Sequence, residues 1–329
     1  MASFFVPANI FDPPSLIYTS LTQPTKLLIS LADYAFSLLR APPVLESPSI
    51  RVVCISDTHD LKASEIPDGD LLIHAGDLTN AGTPADIQAQ IDWLDGLPHQ
   101  HKVAIAGNHD TWLDPRSRQT LSVTEKKEKV DWKGIWYLQH SSATLSFHNG
   151  ARELRLYGAP QIPACGGPEH AFQYPRGTDA WSETVPRDTD VLVTHTPPKY
   201  HLDLPAALGC EHLLNEVYKV RPRLHVFGHI HAGKSDFMGR LKAGKEIIRW
   251  DGGPSIEKML RRPNGLIRGL VDPRYWFDLA SVVWHGIAAI VWERVWGGAG
   301  TVDATTMILA SLMYCDSGKL LNPPQVVDI

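Results

Sequence analysis

The fold is decided by positions 103–110, which read Val-Ala-Ile-Ala-Gly-Asn-His-Asp. Four apolar residues predict a short buried strand, and Gly107 predicts a turn where that strand ends. An amide, an imidazole and a carboxylate follow directly. In α/β proteins, residues that follow buried strands meet at one edge of the sheet, where binding sites lie. Taken alone, the stretch is also compatible with an ordinary polar turn, because Asn, Asp and Gly are common turn residues.

Four further strand-like runs end in the same way. Apolar runs near positions 52–56, 73–76, 191–194 and 226–228 are each followed by aspartate or histidine. The residues concerned are Asp57 and His59, Asp77, His195, and His229 with His231. Five strand ends of this kind are difficult to attribute to chance. The sequence therefore predicts that these side chains converge with Asn108 and His109 on one site.

The rest of the chain indicates an α/β fold with mixed sheets. Strand and helix patterns alternate from residue 50 onward, and His148-Asn149-Gly150 between two strand-like runs is typical of a hairpin. Two more strands are expected near the C-terminal end, at 305–312 and 325–329. We expect a single domain over 50–329 with an insertion at about 239–300, preceded by an N-terminal extension over 1–49.

Two apolar helical patterns lie outside this core. Residues 1–21 lack a period and are expected to form an extended arm, whereas 22–40 show a narrow polar stripe on a widely apolar helix. A second pattern, with tryptophans at nearly helical intervals, lies within 276–296 and is interpreted as too short and too polar to span a bilayer. Both helices must be covered, either by the body of the protein, by a second subunit or by a membrane surface.

Composition limits the classes of function. The chain of 329 residues has 43% hydrophobic residues and a net charge of −5, and we expect no nucleic-acid partner from this charge. Its four cysteines form no CxxC pair, which favours reduced thiols. A secretory signal pattern and an uninterrupted apolar span are not evident. These features predict an intracellular, cytoplasmic protein.

The predicted site has the chemistry of a metal centre. Carboxylate and amide oxygens combined with imidazole nitrogens suit divalent ions such as Mn, Fe, Zn or Mg. Seven ligands are too many for one catalytic ion but suit two ions that share a carboxylate. Two ions ~3.5–4 Å apart can hold a bridging hydroxide that attacks phosphorus in line. Hydrolysis of a phosphoester is therefore the expected chemistry.

The ordered blocks resemble the signature of the calcineurin-like metallophosphoesterases. These blocks are Asp57-Thr58-His59, Gly76-Asp77, Gly107-Asn108-His109-Asp110, His195 and Gly228-His229-Ile230-His231. The resemblance implies a four-layer α/β/β/α sandwich. It also implies one ion on Asp57, His59, Asp77 and His231 and a second on Asp77, Asn108, His195 and His229. His109 would assist the leaving oxygen, with Asp110 holding its ring in orientation.

Further stretches narrow the resemblance, namely Ala171-Phe172-Gln173, Thr194-His195-Thr196-Pro197-Pro198 and Asn322-Pro323-Pro324. In these the chain is similar to the metallophosphoesterase-domain-containing (MPPED) proteins of that superfamily. Asp110 stands where protein Ser/Thr phosphatases carry glutamate, which disfavours a phosphoprotein substrate. Members of the MPPED group can lack one histidine of the last block, whereas His229 and His231 are both present here. The resemblance favours a phosphodiesterase acting on small, cyclic-nucleotide-like substrates, with His201 as a candidate substrate contact. A phosphomonoesterase and a catalytically silent scaffold remain as alternatives.

Overall fold

Two β-sheets form the centre of the molecule in the computed structural model, which describes residues 15–203, 207–231, 244–253, 256–298, 300, 302–315 and 317–329. The first sheet has the strand order β13 (Gln325–Asp328), β1 (Arg51–Ile55), β2 (Leu71–Ala75), β3 (His101–Ile105) and β4 (Trp136–Tyr137). The second has the order β11 (Lys245–Arg249), β12 (Ala304–Leu309), β10 (Leu224–Phe227), β9 (Val191–Thr194), β6 (Arg152–Ala159) and β5 (Ser141–Phe147). A separate pair joins β7 (Ile162–Pro163) and β8 (Gln173–Tyr174).

The strands that precede the predicted site residues are parallel within each sheet. β1, β2 and β3 are consecutive parallel neighbours, and β6, β9, β10 and β12 form a parallel set in the other sheet. β2 and β9 are buried along their whole length, which explains why their sequences are continuous apolar runs rather than alternating ones. Parallel strands end at the same edge, so the residues after them are brought together.

The two sheets pack face to face with helices on their outer faces. One apolar cluster, which includes Val52, Val103, Leu154 and Val226, fills the space between the sheets. A second cluster joins the first sheet to α3 (Pro84–Asp95), and a third joins the second sheet to α4 (Glu211–Val220). These layers run helix, sheet, sheet, helix. The predicted α/β/β/α sandwich is confirmed.

Among the described residues, five further α-helices lie outside the four layers. They are α1 (Leu16–Thr22), α2 (Pro24–Leu39), α5 (Ile256–Leu260), α6 (Leu266–Val271) and α7 (Pro273–Arg294). We refer to residues 15–40 and 256–296, which contain these five helices, as the helical module. α2 packs along α7, with Ile29 and Val282 at the centre of their contact.

The N-terminal segment differs from the extended arm that the sequence predicts. Residues 16–22 form α1, because the Ser15 hydroxyl accepts a hydrogen bond from the Tyr18 N–H and caps the helix. The earlier part of the predicted arm, residues 1–14, lies outside the described residues. The helix predicted over 22–40 runs from Pro24 to Leu39.

The region predicted as an insertion contributes to both the sheet and the module. β11 pairs antiparallel with β12 and extends the second sheet by one strand. Residues 239–243, 254–255 and 299 of this region lie outside the described part of the chain. α7 begins at Pro273 and is longer than the apolar run suggests, because Asp272 caps its N-terminus. With 22 residues and a mean hydropathy of 1.2 over its most apolar window, it is long and apolar enough to cross a membrane. Only 11% of that window is buried in the protein.

Candidate metal centre

The predicted ligands follow strands of both sheets in strained backbone conformations. Asp57, His59, Asp77 and His229 all have positive φ values, between 46° and 70°. Aspartate and histidine tolerate this region better than most residues, but it remains uncommon for any side chain other than glycine. Such conformations cluster at functional sites, where the surrounding structure holds them in place. The turns aim each side chain away from its strand and into the space between the two sheets' edges.

Two glycines allow the backbone to approach the carboxylates closely. A Cβ atom on Gly107 would collide with the carboxylate and backbone of Asp77. A Cβ on Gly228 would collide with the Ser56 hydroxyl and the Asp57 carboxylate. The glycine in each block is therefore required by the packing of the aspartate that belongs to another block.

One group of possible ligands consists of Asp57, His59, Asp77 and His231. The Nε2 atoms of His59 and His231 are 3.0 Å apart, and His231 Nε2 lies 3.2 Å from Asp57 Oδ1. His59 Nε2 lies 3.7 Å from Asp77 Oδ2. One ligand atom from each of the four residues lies within 4.8 Å of the others. This spacing brings four donors around one point.

A second group consists of Asp77, His195 and His229, so Asp77 belongs to both. His195 Nε2 is 3.2 Å from Asp77 Oδ2 and 3.1 Å from the amide oxygen of Asn108. The backbone N–H of His229 donates to both oxygens of Asp57, at 3.0 and 3.1 Å, which ties the two groups together. The structure thus brings all seven predicted ligands to one place.

The donor atoms fit divalent cations. Two ligands bound at ~2.1 Å and at a right angle lie about 3.0 Å apart, which matches the closest donor pairs of both groups. His195 Nδ1 lies 2.9 Å from the carbonyl of Ala75, to which it donates, so Nε2 is the ring nitrogen that faces the metal position. The Nε2 atoms of His59 and His231 face each other, and their lone pairs repel unless a proton or a cation lies between them.

The electrostatics of the site also favour bound positive charge. Burial alone would raise the pKa of Asp57 and Asp77, but His231 and His195 respectively outweigh burial and hold both pKa values well below the usual range. Conversely, Asp77 overcomes the effect of burial and raises the pKa of His195 to about 9. Burial lowers the pKa of His229 to about 3, which keeps that imidazole neutral. Ionised carboxylates and neutral imidazoles are the forms that bind metals, so His195 must release its proton when an ion binds.

His109 lies at the edge of this cluster, half-buried. Its ring meets those of His59 and His170 edge-on, with centroids 4.9 and 5.0 Å away. Its backbone N–H donates to Asp77 Oδ1 at 2.8 Å, and its Nδ1 lies 3.0 Å from the carbonyl of Asn80, to which it donates. Nε2 is left as the nitrogen that can exchange a proton with a substrate.

The predicted contact between Asp110 and the His109 ring is wrong. The Asp110 carboxylate does not hold His109 but is fully buried, where it accepts hydrogen bonds from the backbone N–H groups of Gly107, Leu78 and Thr79 at 2.7, 3.2 and 3.0 Å. The turn after Gly107 sends successive side chains in opposite directions, so His109 faces the site while Asp110 faces the core. Asp110 therefore braces the loops that carry Asp77 and Asn108, and Asn80 orients His109.

Sequence reasoning missed His170 and misplaced His201. The Nδ1 atom of His170 accepts from the Asn108 amide nitrogen at 3.1 Å, which turns the Asn108 oxygen toward His195. No local pattern marks His170, because it lies in a loop 62 residues from its partner. His201, expected as a substrate contact, is buried with its two ring nitrogens 3.2 and 2.7 Å from Glu246 and Glu257. Its surroundings are those of a structural residue.

Several curated proteins are similar to this chain. It is 48% identical over 205 residues to a protein of Emericella nidulans named probable rhamnogalacturonate lyase C, a match that covers 61% of this chain and 18% of that protein. It is 38% identical over 208 residues to human metallophosphoesterase domain-containing protein 1, covering 56% of this chain and 61% of that protein. A UPF0046 protein of Caenorhabditis elegans is 33% identical over 216 residues, covering 63% and 72% respectively. The chain thus spans less than two thirds of the length of the first two.

A family model accounts for the region that contains the site. The model described as calcineurin-like phosphoesterase matches residues 50–233, more than half of the chain. All seven possible ligands and His109 fall within this match. The chain belongs to the calcineurin-like phosphoesterase family.

Proposed function

We propose that the protein hydrolyses small phosphodiesters, cyclic-nucleotide-like ones included, at a centre of two divalent ions. The observation that carries the proposal is the position of Asp77, whose carboxylate lies within reach of both ligand groups. A shared carboxylate is the arrangement that places two ions close together. Ions held in this way supply Lewis acidity and a water nucleophile at neutral pH.

The protein side chains bind the ions, orient the ligands and donate a proton. Asp57 and Asp77 supply the negative charge that balances the ions, and the imidazoles complete the ligand sets once they have released any proton. Asn108 contributes an oxygen whose direction is set by His170. His109, braced by the Asn80 carbonyl, is placed to give a proton to the leaving oxygen, as the resemblance implies.

The charge around the site supports a diester rather than a monoester. In the described part of the chain, the hydrogen bonds and ion pairs of the site side chains involve histidines, carboxylates and amides, with no lysine or arginine. A phosphomonoester carries close to two negative charges at neutral pH, because its second pKa is about 6. A diester carries one and needs fewer cationic contacts beyond the ions.

A comparison of two chromogenic substrates tests this proposal. Purified protein with Mn²⁺ should hydrolyse bis-p-nitrophenyl phosphate faster than p-nitrophenyl phosphate, and cyclic nucleotides should compete with the diester. His109→Ala should lower turnover of the diester strongly, whereas His212→Gln, on the partly exposed side of α4, should not. Faster turnover of the monoester would establish a phosphomonoesterase instead. Bound metal without turnover of either substrate would indicate a catalytically silent scaffold.

A further inference from the structure

The helical module exposes an unusual amount of apolar surface. Six of its large apolar side chains are each at least 70% exposed: Ile267, Val271, Phe277, Trp284, Val295 and Trp296. They come from α6, from α7 and from the residues that directly follow α7. Isolated exposed apolar residues are common in proteins, but a group of this size on adjacent helices marks an interaction surface.

α7 has its polar and apolar faces reversed relative to a helix on a water-soluble protein. On the face that includes Trp276, Trp284 and Ile287, no charged side chain occurs before Arg294. Its acidic residues face the protein instead, where Asp278 pairs with Arg262 and Glu293 pairs with Arg40. A helix on a water-exposed surface shows the opposite pattern.

Two buried polar side chains of the module, Thr25 and Lys26, find their hydrogen-bond partners within it. The Lys26 ammonium donates to the carbonyl of Leu260 at 2.8 Å and to the Asn264 amide oxygen at 2.7 Å. Thr25 donates to the carbonyl of Gly269 at 3.0 Å. Because these groups do not depend on water, the outer surface can enter an apolar medium without leaving them unpaired.

The charge of the module is opposite in sign to that of the protein. It contains eight basic and five acidic residues, a net charge of +3, whereas the whole chain carries −5. Asp272, Asp278 and Glu293 are each paired with an arginine. Exposed Arg268 and Arg294 lie next in sequence to the exposed Ile267 and Val295. The outer surface therefore combines apolar side chains with positive charge.

We propose that this surface docks the protein on a lipid bilayer that contains anionic headgroups. Tryptophan beside arginine is the composition of proteins that lie at the membrane interface, with rings at headgroup depth and guanidinium groups at the phosphates. In a two-fold dimer the same patch would meet itself, which brings like charges together. α7 keeps its charged side facing α2 and the body, so it lies along the membrane surface rather than crossing it. This inference is independent of the proposed phosphodiesterase activity.

Vesicle flotation with the full chain tests the docking surface. The protein should float with vesicles of phosphatidylcholine and phosphatidylserine at low salt, and less with phosphatidylcholine alone. The combined variant Ile267→Ser, Phe277→Ser and Trp284→Ser should lower the floated fraction by about fivefold or more. The variant Arg268→Glu with Arg294→Glu should lose the preference for anionic vesicles. Val123→Ser, which changes an equally exposed residue outside the module, is the matched control and should float like the wild type.

The outcomes separate docking from misfolding and from self-association. Unchanged thermal unfolding and unchanged circular dichroism spectra in the module variants would show that they fold, so their loss of flotation would support the proposal. Wild-type protein that does not float with vesicles of any composition would overturn the proposal. A wild-type dimer in detergent-free solution that the triple variant turns into a monomer would also overturn it and assign the surface to a second copy.

Discussion

Asp77 connects the two halves of the site at the residue scale. Its Oδ2 atom lies 3.2 Å from His195 and 3.7 Å from His59, while Oδ1 accepts the backbone N–H of His109. The same carboxylate therefore shapes both ligand groups and the loop of the proposed acid. Asp77→Asn, which keeps the size but removes the charge, should lower both the bound metal and the turnover by about two orders of magnitude. Elemental analysis of the purified variant, beside exposed Asp92→Asn as a control, measures the first effect. Equal metal content in both variants would contradict this role.

A Gly228→Ala variant tests how closely the Gly228–His231 block packs against Asp57 of the first block. In Gly228→Ala the added methyl group would displace Ser56 and Asp57, so Asp57 should lose its position relative to His231. We expect lower metal content and lower turnover with little change in secondary structure. Gly96→Ala, where the nearest atom is an ordinary 3.5 Å from the new Cβ, is the matched control. Normal metal binding by Gly228→Ala would show that the predicted crowding is absorbed elsewhere.

His170 is a positioning residue for Asn108. His170→Ala removes the acceptor that turns the Asn108 oxygen toward His195, and metal affinity should fall by about tenfold, as is typical for such supporting partners. His170→Gln supplies another acceptor and should restore part of that affinity. A calorimetric Mn²⁺ titration of both variants measures this, and equal loss in both would argue against an orienting role.

The residues of the site differ in how visible they are in the sequence. Asp57, Asp77 and His195 could be found because each follows an apolar run that ends at the same sheet edge. The contact of His170 could not, because it depends on the path of a long loop. The side chain of Asp110 could not be placed either, since a turn decides which of two adjacent residues faces the site. Sequence predicts the position of a residue on an element better than the direction of its side chain in a tight turn.

His201 links elements of the body to the helical module. It lies between Glu246 of β11 and Glu257 of α5, and burial is outweighed by these carboxylates, which raise its pKa to about 10. Because the unfolded pKa is ~6.5, the stabilisation is complete below about pH 6.5, declines as pH rises and is lost above about pH 10. Burial raises the pKa of its neighbour Asp203 and lowers that of its neighbour His225, and the charge of His201 acts to lower both pKa values. Tyr218 donates a hydrogen bond to Glu257.

We therefore expect His201→Gln to destabilise the protein in a pH-dependent way. The difference in Tm between wild type and variant should be larger at pH 6.5 than at pH 10. Thermal unfolding by circular dichroism at both pH values measures it, with His148→Gln as a control for an exposed histidine. A difference that grows with pH would show that the ion pairs do not provide this stability.

Elements were predicted more reliably in the core than in the module. β9 and β10 coincide with their apolar runs, because continuous burial leaves a simple pattern. α1 lacks such a pattern and depends on the Ser15 cap. The period of α7 indicates a helix, but it does not state which face is turned inward, and the inward face proves to be the one that carries Asp278 and Glu293. Periodicity is a property of one helix, whereas orientation depends on its neighbours.

The whole molecule combines a metal-binding sandwich with a basic, apolar helical module. His201 and the pairing of Arg40 with Asp251 connect the two parts. If the module docks on a membrane, the sandwich remains at the lipid surface with its site intact. Deletion of charge or apolar surface in the module should then change where the protein acts and leave its turnover unchanged.

The converging ligands make one site of the whole molecule, and we expect its phosphoesterase activity to depend on metal. The most direct measurement is hydrolysis of bis-p-nitrophenyl phosphate by protein freed of metal with a chelator and then titrated with Mn²⁺. We expect negligible turnover without metal, recovery that saturates as Mn²⁺ is added, and no recovery in Asp77→Asn. Turnover that persists in the metal-free protein, or that fails to appear at saturating metal, would contradict it.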